Sequence, residues 1–280
     1  MAPRASRYAP GDGGLVDIGV RPLFGEGFVG PYDDFSHLAA CVGLRRLLSS
    51  YDGPLIRVRE DGGDTEADIG FDTNGDLDTA ALLAHCGATN GTITKWYDQT
   101  GTGGDLTYSG ALDFQPQIVS AGVVNVDANG QPRLSWDVRG DSWSFNLGGA
   151  SGYSFLALVE TAETQWILHG GDSASEFCGV VEDGSAGASE SNAGSPSYLA
   201  SGSPIASPDR DDLGTAWSIG SKVVAEARAV DTTSWEKIIP LSYASAGYEM
   251  AGFVYEIAVF SATGSEGAAL TAMDAYWDFM

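Results

Sequence analysis

The chain has 280 residues, an apolar fraction of 43% and a formal net charge of −24. Enough apolar side chain is present to bury a large core, which argues against general disorder, and the strong negative charge argues against binding nucleic acid through a basic groove. Thirty-eight glycines point to short strands joined by many turns, and a chain of this length suits a single all-β domain.

Residues 1–32 differ from the remainder. Pro3, Pro10, Pro22 and Pro31, with the GDGG and GEGFVG stretches, interrupt any periodic pattern. One reading is an irregular leader. The other, which we favour here, is an extended arm that lies against another chain, with Leu15, Val16, Ile18, Val20, Leu23, Phe24 and Phe28 as its anchors. The first residues lack the apolar centre of a signal peptide, and no run reaches the ~18 apolar residues of a membrane span. The expectation is a chain made in the cytoplasm, with residues 33–280 as the folded domain.

Phe35 to Ser50 places Leu38, Cys41, Val42, Arg45 and Leu48 at three- and four-residue intervals, with Ser36 at an N-cap position, and predicts a helix with Arg45 and Arg46 on or beside its solvated face. After the Asp52-Gly53-Pro54 turn, Leu55–Arg59 alternates as a half-buried strand does. Asp72, Asn74, Asp76 and Asp78 then carry oxygen ligands at alternate positions. Two readings are open there: a calcium loop, or an Asn-Gly turn followed by Asp78 capping a helix over Thr79–Cys86. Gly75 comes one position early for calcium, and no glutamate stands at the twelfth place. Thr92–Tyr97 is strand-like and leads into the glycine-rich loop Gln99–Asp105.

Beyond Asp113, strand-like runs recur at sandwich spacing: 116–119, 132–136, 143–147, 153–160, 165–169 and 177–182. A Ser/Gly/Ala-rich patch reads as a long surface loop before runs at 217–220 and 223–230. Gly252–Phe260 is the clearest strand, and Glu266–Trp277 closes the chain as a short helix. Cys41, Cys86 and Cys178 have neither zinc-site spacing nor an even disulfide framework, and read as small buried residues.

One series of motifs stands out. Ser49-Ser50-Tyr51, Gly53-Pro54-Leu55, Val58-Arg59, Asp68-Ile69, Ala80-Ala81, Thr92-Ile93-Thr94, Tyr97-Asp98-Gln99-Thr100-Gly101 and Asp105-Leu106-Thr107 follow in order. This series resembles the catalytic domain of the α-L-arabinofuranosidase B family. The resemblance implies a concanavalin A-like jelly-roll β-sandwich, all-β with two or three short helices. A similar module occurs in structural proteins of tailed bacteriophages, fused to attachment arms, and the irregular leader and unpaired cysteines make this chain resemble those more.

The expectation is therefore a virion structural protein, a fibre, spike or head-decoration subunit. It would assemble as a homo-oligomer with other virion proteins through its arm and contact host-surface glycans through exposed Trp143, Trp166 or Trp235. No nucleic-acid partner and no cofactor beyond a candidate Ca²⁺ is expected. The alternatives are a glycoside hydrolase of the arabinofuranosidase type and a free lectin. Hydrolysis needs two carboxylates flanking the scissile bond. Glu182, in GVVEDG, loosely echoes the family's nucleophile strand; its bland reading is a polar residue before an Asp-Gly turn. No general acid can be assigned, and the adjacent cysteine pair of the family's substrate pocket has no counterpart. Asp98, Gln99 and Asp105 read as supports for the glycine-rich loop.

Overall fold

A computed structural model describes residues 28–102, 104–108, 115–137, 143–145, 147–163, 166–169, 177–180, 191–217, 220–235, 238–241, 251–262 and 264–280. In chain order the strands are β1 Leu38–Gly43, β2 Ile56–Glu60, β3 Glu66–Ile69, β4 Gly91–Trp96, β5 Leu106–Tyr108, β6 Gln117–Ser120, β7 Val123–Val124, β8 Leu134–Asp137 and β9 Trp143–Ser144. They continue with β10 Ser151–Glu163, β11 Trp166–His169, β12 Phe177–Val180, β13 Gly194–Ala200, β14 Ser203–Ile205, β15 Lys222–Asp231, β16 Ile239–Pro240 and β17 Ala251–Phe260. Helices are α1 Thr79–Cys86, α2 Arg210–Trp217 and α3 Glu266–Trp277.

The architecture is the all-β sandwich expected from the sequence. Antiparallel pairing runs β14-β13-β15-β10-β17-β8-β6-β4-β2-β3. The path forks at β17: β10 pairs along one edge, while the other edge is shared by β8 at Ala251–Val254 and β1 at Glu256–Phe260. A second, three-stranded sheet, β12-β11-β16, is tied to the first by the Phe145↔Ile238 bridge next to β9. The face of β10 and β17 that carries Ser154 and Glu256 is covered by α3, whose Glu266 accepts from the Ser154 hydroxyl at 2.7 Å and whose Trp277 donates to Glu256 at 2.8 Å. The core holds Trp96, Trp136, Trp143, Trp217 and Trp277, all fully buried.

Several expectations are corrected. Residues 35–50 form no helix; β1 takes their middle, and Ala40–Leu44 are buried without alternation. A short continuous apolar run supports a buried strand as well as a buried helix, so the three-and-four spacing was coincidental. Arg45 is correspondingly not solvated: it is 6% exposed and its Nε lies 2.9 Å from Glu256. The Ser/Gly/Ala patch supplies β13 and β14, and Trp217 ends α2 where a strand was expected. The start of α2 is closed by a reciprocal pair, Asp212 N–H to the Asp209 carboxylate at 3.0 Å and Asp209 N–H to Asp212 at 3.2 Å, a carboxylate version of the capping box. The domain also begins earlier than residue 33, because Tyr32 is wholly buried and its hydroxyl donates to Glu256.

Glu256 is a fully buried carboxylate whose donors are Tyr32, Arg45 and Trp277. Removing one partner of such a pair leaves an uncompensated buried charge. Arg45→Ala is therefore expected to lower unfolding stability by about 3–5 kcal/mol, read as a fall in the urea midpoint. Glu256→Gln in that background should restore part of the loss.

Candidate functional site

The matched motifs build a hinge between β1 and the end of β4. Asp98 is 4% exposed, and its Oδ1 accepts from the Cys41 N–H at 2.9 Å and the Thr100 N–H at 3.1 Å. Its Oδ2 accepts from the Thr100 hydroxyl at 2.6 Å. Gln99 is bound through all its polar groups: its N–H donates to Cys41 O at 2.9 Å, its Nε2 to Arg45 O at 2.8 Å, and its Oε1 accepts from Leu47 N–H at 2.7 Å. Asp105 accepts from the Asp98 N–H at 3.1 Å and pairs with Lys95. These side chains satisfy the backbone of β1 where no neighbouring strand does, so the expectation that they are structural supports agrees with the geometry.

The Asp72–Asp78 loop is likewise occupied by its own backbone. Asp72 Oδ1 accepts from Asn74 N–H at 2.8 Å and Asp76 N–H at 3.1 Å, Asp76 accepts from the Tyr276 hydroxyl, and Asp78 caps α1 through Ala81 N–H at 2.9 Å. This is the turn-and-cap reading. Among the described residues no three His, Cys, Asp or Glu side chains converge in a metal-holding group.

The tryptophans proposed as sugar platforms fall differently. Trp143 is fully buried, with ring centroids 5.6 Å from Tyr108 and 5.7 Å from Trp136. Trp235 is 6% exposed and donates to Asn192 O at 3.3 Å. Neither offers a face to solvent, because the strands that carry them turn those rings inward; both are corrected to core residues. Trp166 lies on β11, with its side chain outside the description. Of the assembly anchors, residues 15–24 lie outside the described residues, and Phe28 packs on its own domain: the Arg46 guanidinium sits 4.7 Å above its ring and 4.8 Å from that of Phe71.

Glu182 also lies outside the described residues, two positions beyond the end of β12. That strand is held on both sides. It pairs with β11 through Trp166↔Val180 and Leu168↔Cys178, and the Gly179 N–H donates to the Tyr198 hydroxyl at 3.1 Å. Cys178 is fully buried, and burial pushes its thiol up. β12 thus delivers the chain toward Glu182 from a fixed base.

Two depressions are lined by described residues. One, of about 790 Å³, lies between the Asp72–Leu77 loop, α1, the β6–β7 hairpin and α3. The other, of about 310 Å³, contains Asp127, Glu160 and Lys222. Their carboxylates are held internally. Asp127 pairs with Lys222 and accepts from Asn129 and Gln131 N–H at 2.8 Å each, and Glu160 accepts from Arg133 at 2.7 Å and Tyr255 at 2.5 Å. Sequence reading missed both the Lys222–Asp127 and Arg45–Glu256 pairs. The signal available was a lone charge inside an apolar strand, as in VYEIAV, which demands a buried partner.

Comparison with known proteins follows this geometry. The family model described as "Alpha-L-arabinofuranosidase B, catalytic" matches residues 35–137. The α-L-arabinofuranosidase B of Emericella nidulans is 40% identical over 84 residues, covering 28% of this chain and 16% of that protein. Among solved structures, a mutant GH54 α-L-arabinofuranosidase soaked with 4-nitrophenyl α-L-arabinofuranoside aligns with TM-score 0.54 at 15% identity, over 88% of this chain and 64% of that one. An arabinofuranosidase complexed with arabinofuranosyl-α-1,2-xylobiose aligns with TM-score 0.53 at 16% identity, over the same shares. The chain therefore spans less than two thirds of each, and the structural likeness establishes the fold. The virion reading is overturned. The matched family and relatives are arabinofuranosidases, and they support the hydrolase alternative over a fibre, spike or decoration subunit.

Four partly or fully buried carboxyls are held below their ordinary range. At Asp127 burial opposes ionisation, and the Lys222 ammonium with the Gln131 and Asn129 N–H groups outweighs it. At Glu266 burial is outweighed by Gly264 N–H and the Ser154 hydroxyl. At Asp33 burial is outweighed by Ser49 and Gly30, and at Asp68 the Arg57 hydrogen bond leads. A depressed folded value adds stability above the unfolded value and loses it as pH falls through the folded one. Urea midpoints should accordingly be level near neutrality and fall below pH ~4, the ordinary carboxylate range. Asp127→Asn should make that fall shallower while lowering the neutral plateau.

Proposed function

We propose that this chain carries a glycoside hydrolase domain of the α-L-arabinofuranosidase type. The family match over residues 35–137 carries this reading, since it spans the ordered motif series and the strands that series builds. The sandwich fold shared with arabinofuranosidases supports it. Within it, Glu182 is the candidate nucleophile or carboxylate base. Glycosidic cleavage through an oxocarbenium-like transition state needs one carboxylate on the sugar face and a second group to protonate the leaving oxygen. The motif series is the framework; the reacting groups come from the strands after it, on the side where β12 ends. The calcium and glycan-platform roles are not needed for this chemistry.

The purified chain is expected to release 4-nitrophenol from 4-nitrophenyl α-L-arabinofuranoside. Glu182→Gln should reduce kcat by roughly 10³-fold or more while the thermal unfolding curve stays in place. Absence of turnover on that substrate and on a panel of aryl glycosides would remove the proposal.

A further inference from the structure

The larger depression has features that its own side chains do not explain. Val123 is 66% and Val126 42% exposed, and they form part of its wall. Four large hydrophobics are exposed among the described residues; these are two of them, and a third, Val29, follows Phe28 directly. The polar groups of the groove are not free to recruit a cation or a sugar. Asp72 and Asp76 are engaged within their loop and with Tyr276, and one face of the Tyr276 ring is covered by the Arg45 guanidinium 4.3 Å away. What remains open is apolar.

The chain enters the described structure at the rim of this groove. Phe28 lies against Gly75, so closely that a Cβ there would come within 2.3 Å of the Phe28 ring, and Gly75 has φ +89°, a conformation glycine adopts without strain. Gly75 sits between Asp72 and Asp76, the residues that form the groove's wall on that side. Arg46 is held between Phe28 and Phe71, so the entry point is fixed rather than incidental. The segment just upstream carries Leu15, Val16, Ile18, Val20, Leu23 and Phe24. Residues 1–27 contain three arginines (Arg4, Arg7, Arg21) against Asp12, Asp17 and Glu26, so they bring no net charge to a chain whose total is −24. Extended chain spans at most ~3.3–3.6 Å per residue, so from Phe28 the segment reaches ~14 Å at Phe24 and ~45 Å at Leu15, ample for the groove.

We propose that residues 15–24 dock in this groove of their own domain, placing apolar side chains against Val123 and Val126. The anchors assigned from sequence to a contact with another chain would then close a surface of the same molecule. An apolar, uncharged occupant tethered at the rim fits the exposed valines and the absence of free polar groups better than a soluble partner, which would also have to overcome the repulsion of a strongly acidic surface.

Amide hydrogen exchange on the full chain tests this. Val123→Asp with Val126→Asp changes two exposed side chains, so the fold is expected to persist, with exchange in β10 and β17 unchanged as the control. In the parent chain, peptides covering residues 15–24 should be protected, and in the double variant that protection should fall about tenfold or more. Phe28→Ala should loosen it as well. Unprotected exchange of residues 15–24 in the parent chain would overturn the proposal. So would protection that survives the double variant. Light scattering of the same sample across a dilution series assigns the occupant: protection retained in the monomer supports intramolecular docking, and protection lost together with a dimer would place a second copy there and overturn it.

Discussion

Glu256 is the group on which the fold turns. It is a carboxylate at the centre of the most apolar strand in the chain, and it is fully buried. It is tolerable there because an arginine, a tyrosine hydroxyl and an indole N–H converge on it. Those donors come from three distant places: Tyr32 near the start of the described chain, Arg45 just after β1, and Trp277 at the end of α3. None of the four groups is acceptable in the core without the others. The requirement therefore locates the first and last parts of the domain relative to β17, where the two limbs of the sheet diverge.

A second polar junction does similar work on the other side of β1. Asp98 and Gln99 bond to the backbone of Cys41, Arg45 and Leu47, which continue beyond the reach of strand pairing. The residues that most resemble the arabinofuranosidase catalytic domain are thus framework residues. Their agreement in type and order reflects a shared way of closing the sandwich, and their hydrogen-bonding capacity is spent inside the protein. Chemistry, on this account, belongs to side chains carried by strands outside the matched stretch, which explains why the family can be read from one half of the chain and a reaction must be sought in the other.

The parts legible in sequence were those with a local cause. Asp78 before Thr79–Cys86 predicted α1 because a cap and its helix are neighbours, and the alternation of Lys222–Asp231 and Ala251–Phe260 predicted strands because one face meets a core. What failed depended on distant partners. The β1 run looked helical because nothing nearby says that it will be covered on both faces, and Arg45 looked solvated because its partner lies 211 positions away. Trp143 and Trp235 looked available for sugar because burial of an aromatic is set by which strands come to lie beside it. The arm's anchors were legible as apolar, and their partner surface was not, since it is assembled from loops and helices separated widely in sequence.

The most direct measurement is a crystal structure of the whole chain soaked with an α-L-arabinofuranoside. It should show the sugar beside Glu182, beyond the end of β12, with a second carboxyl about 5–5.5 Å away for a retaining site or about 6.5–9.5 Å away for an inverting one. Sugar bound elsewhere, or an ordered Glu182 with no second carboxyl within that range, would contradict the assignment of this sandwich to glycoside hydrolysis.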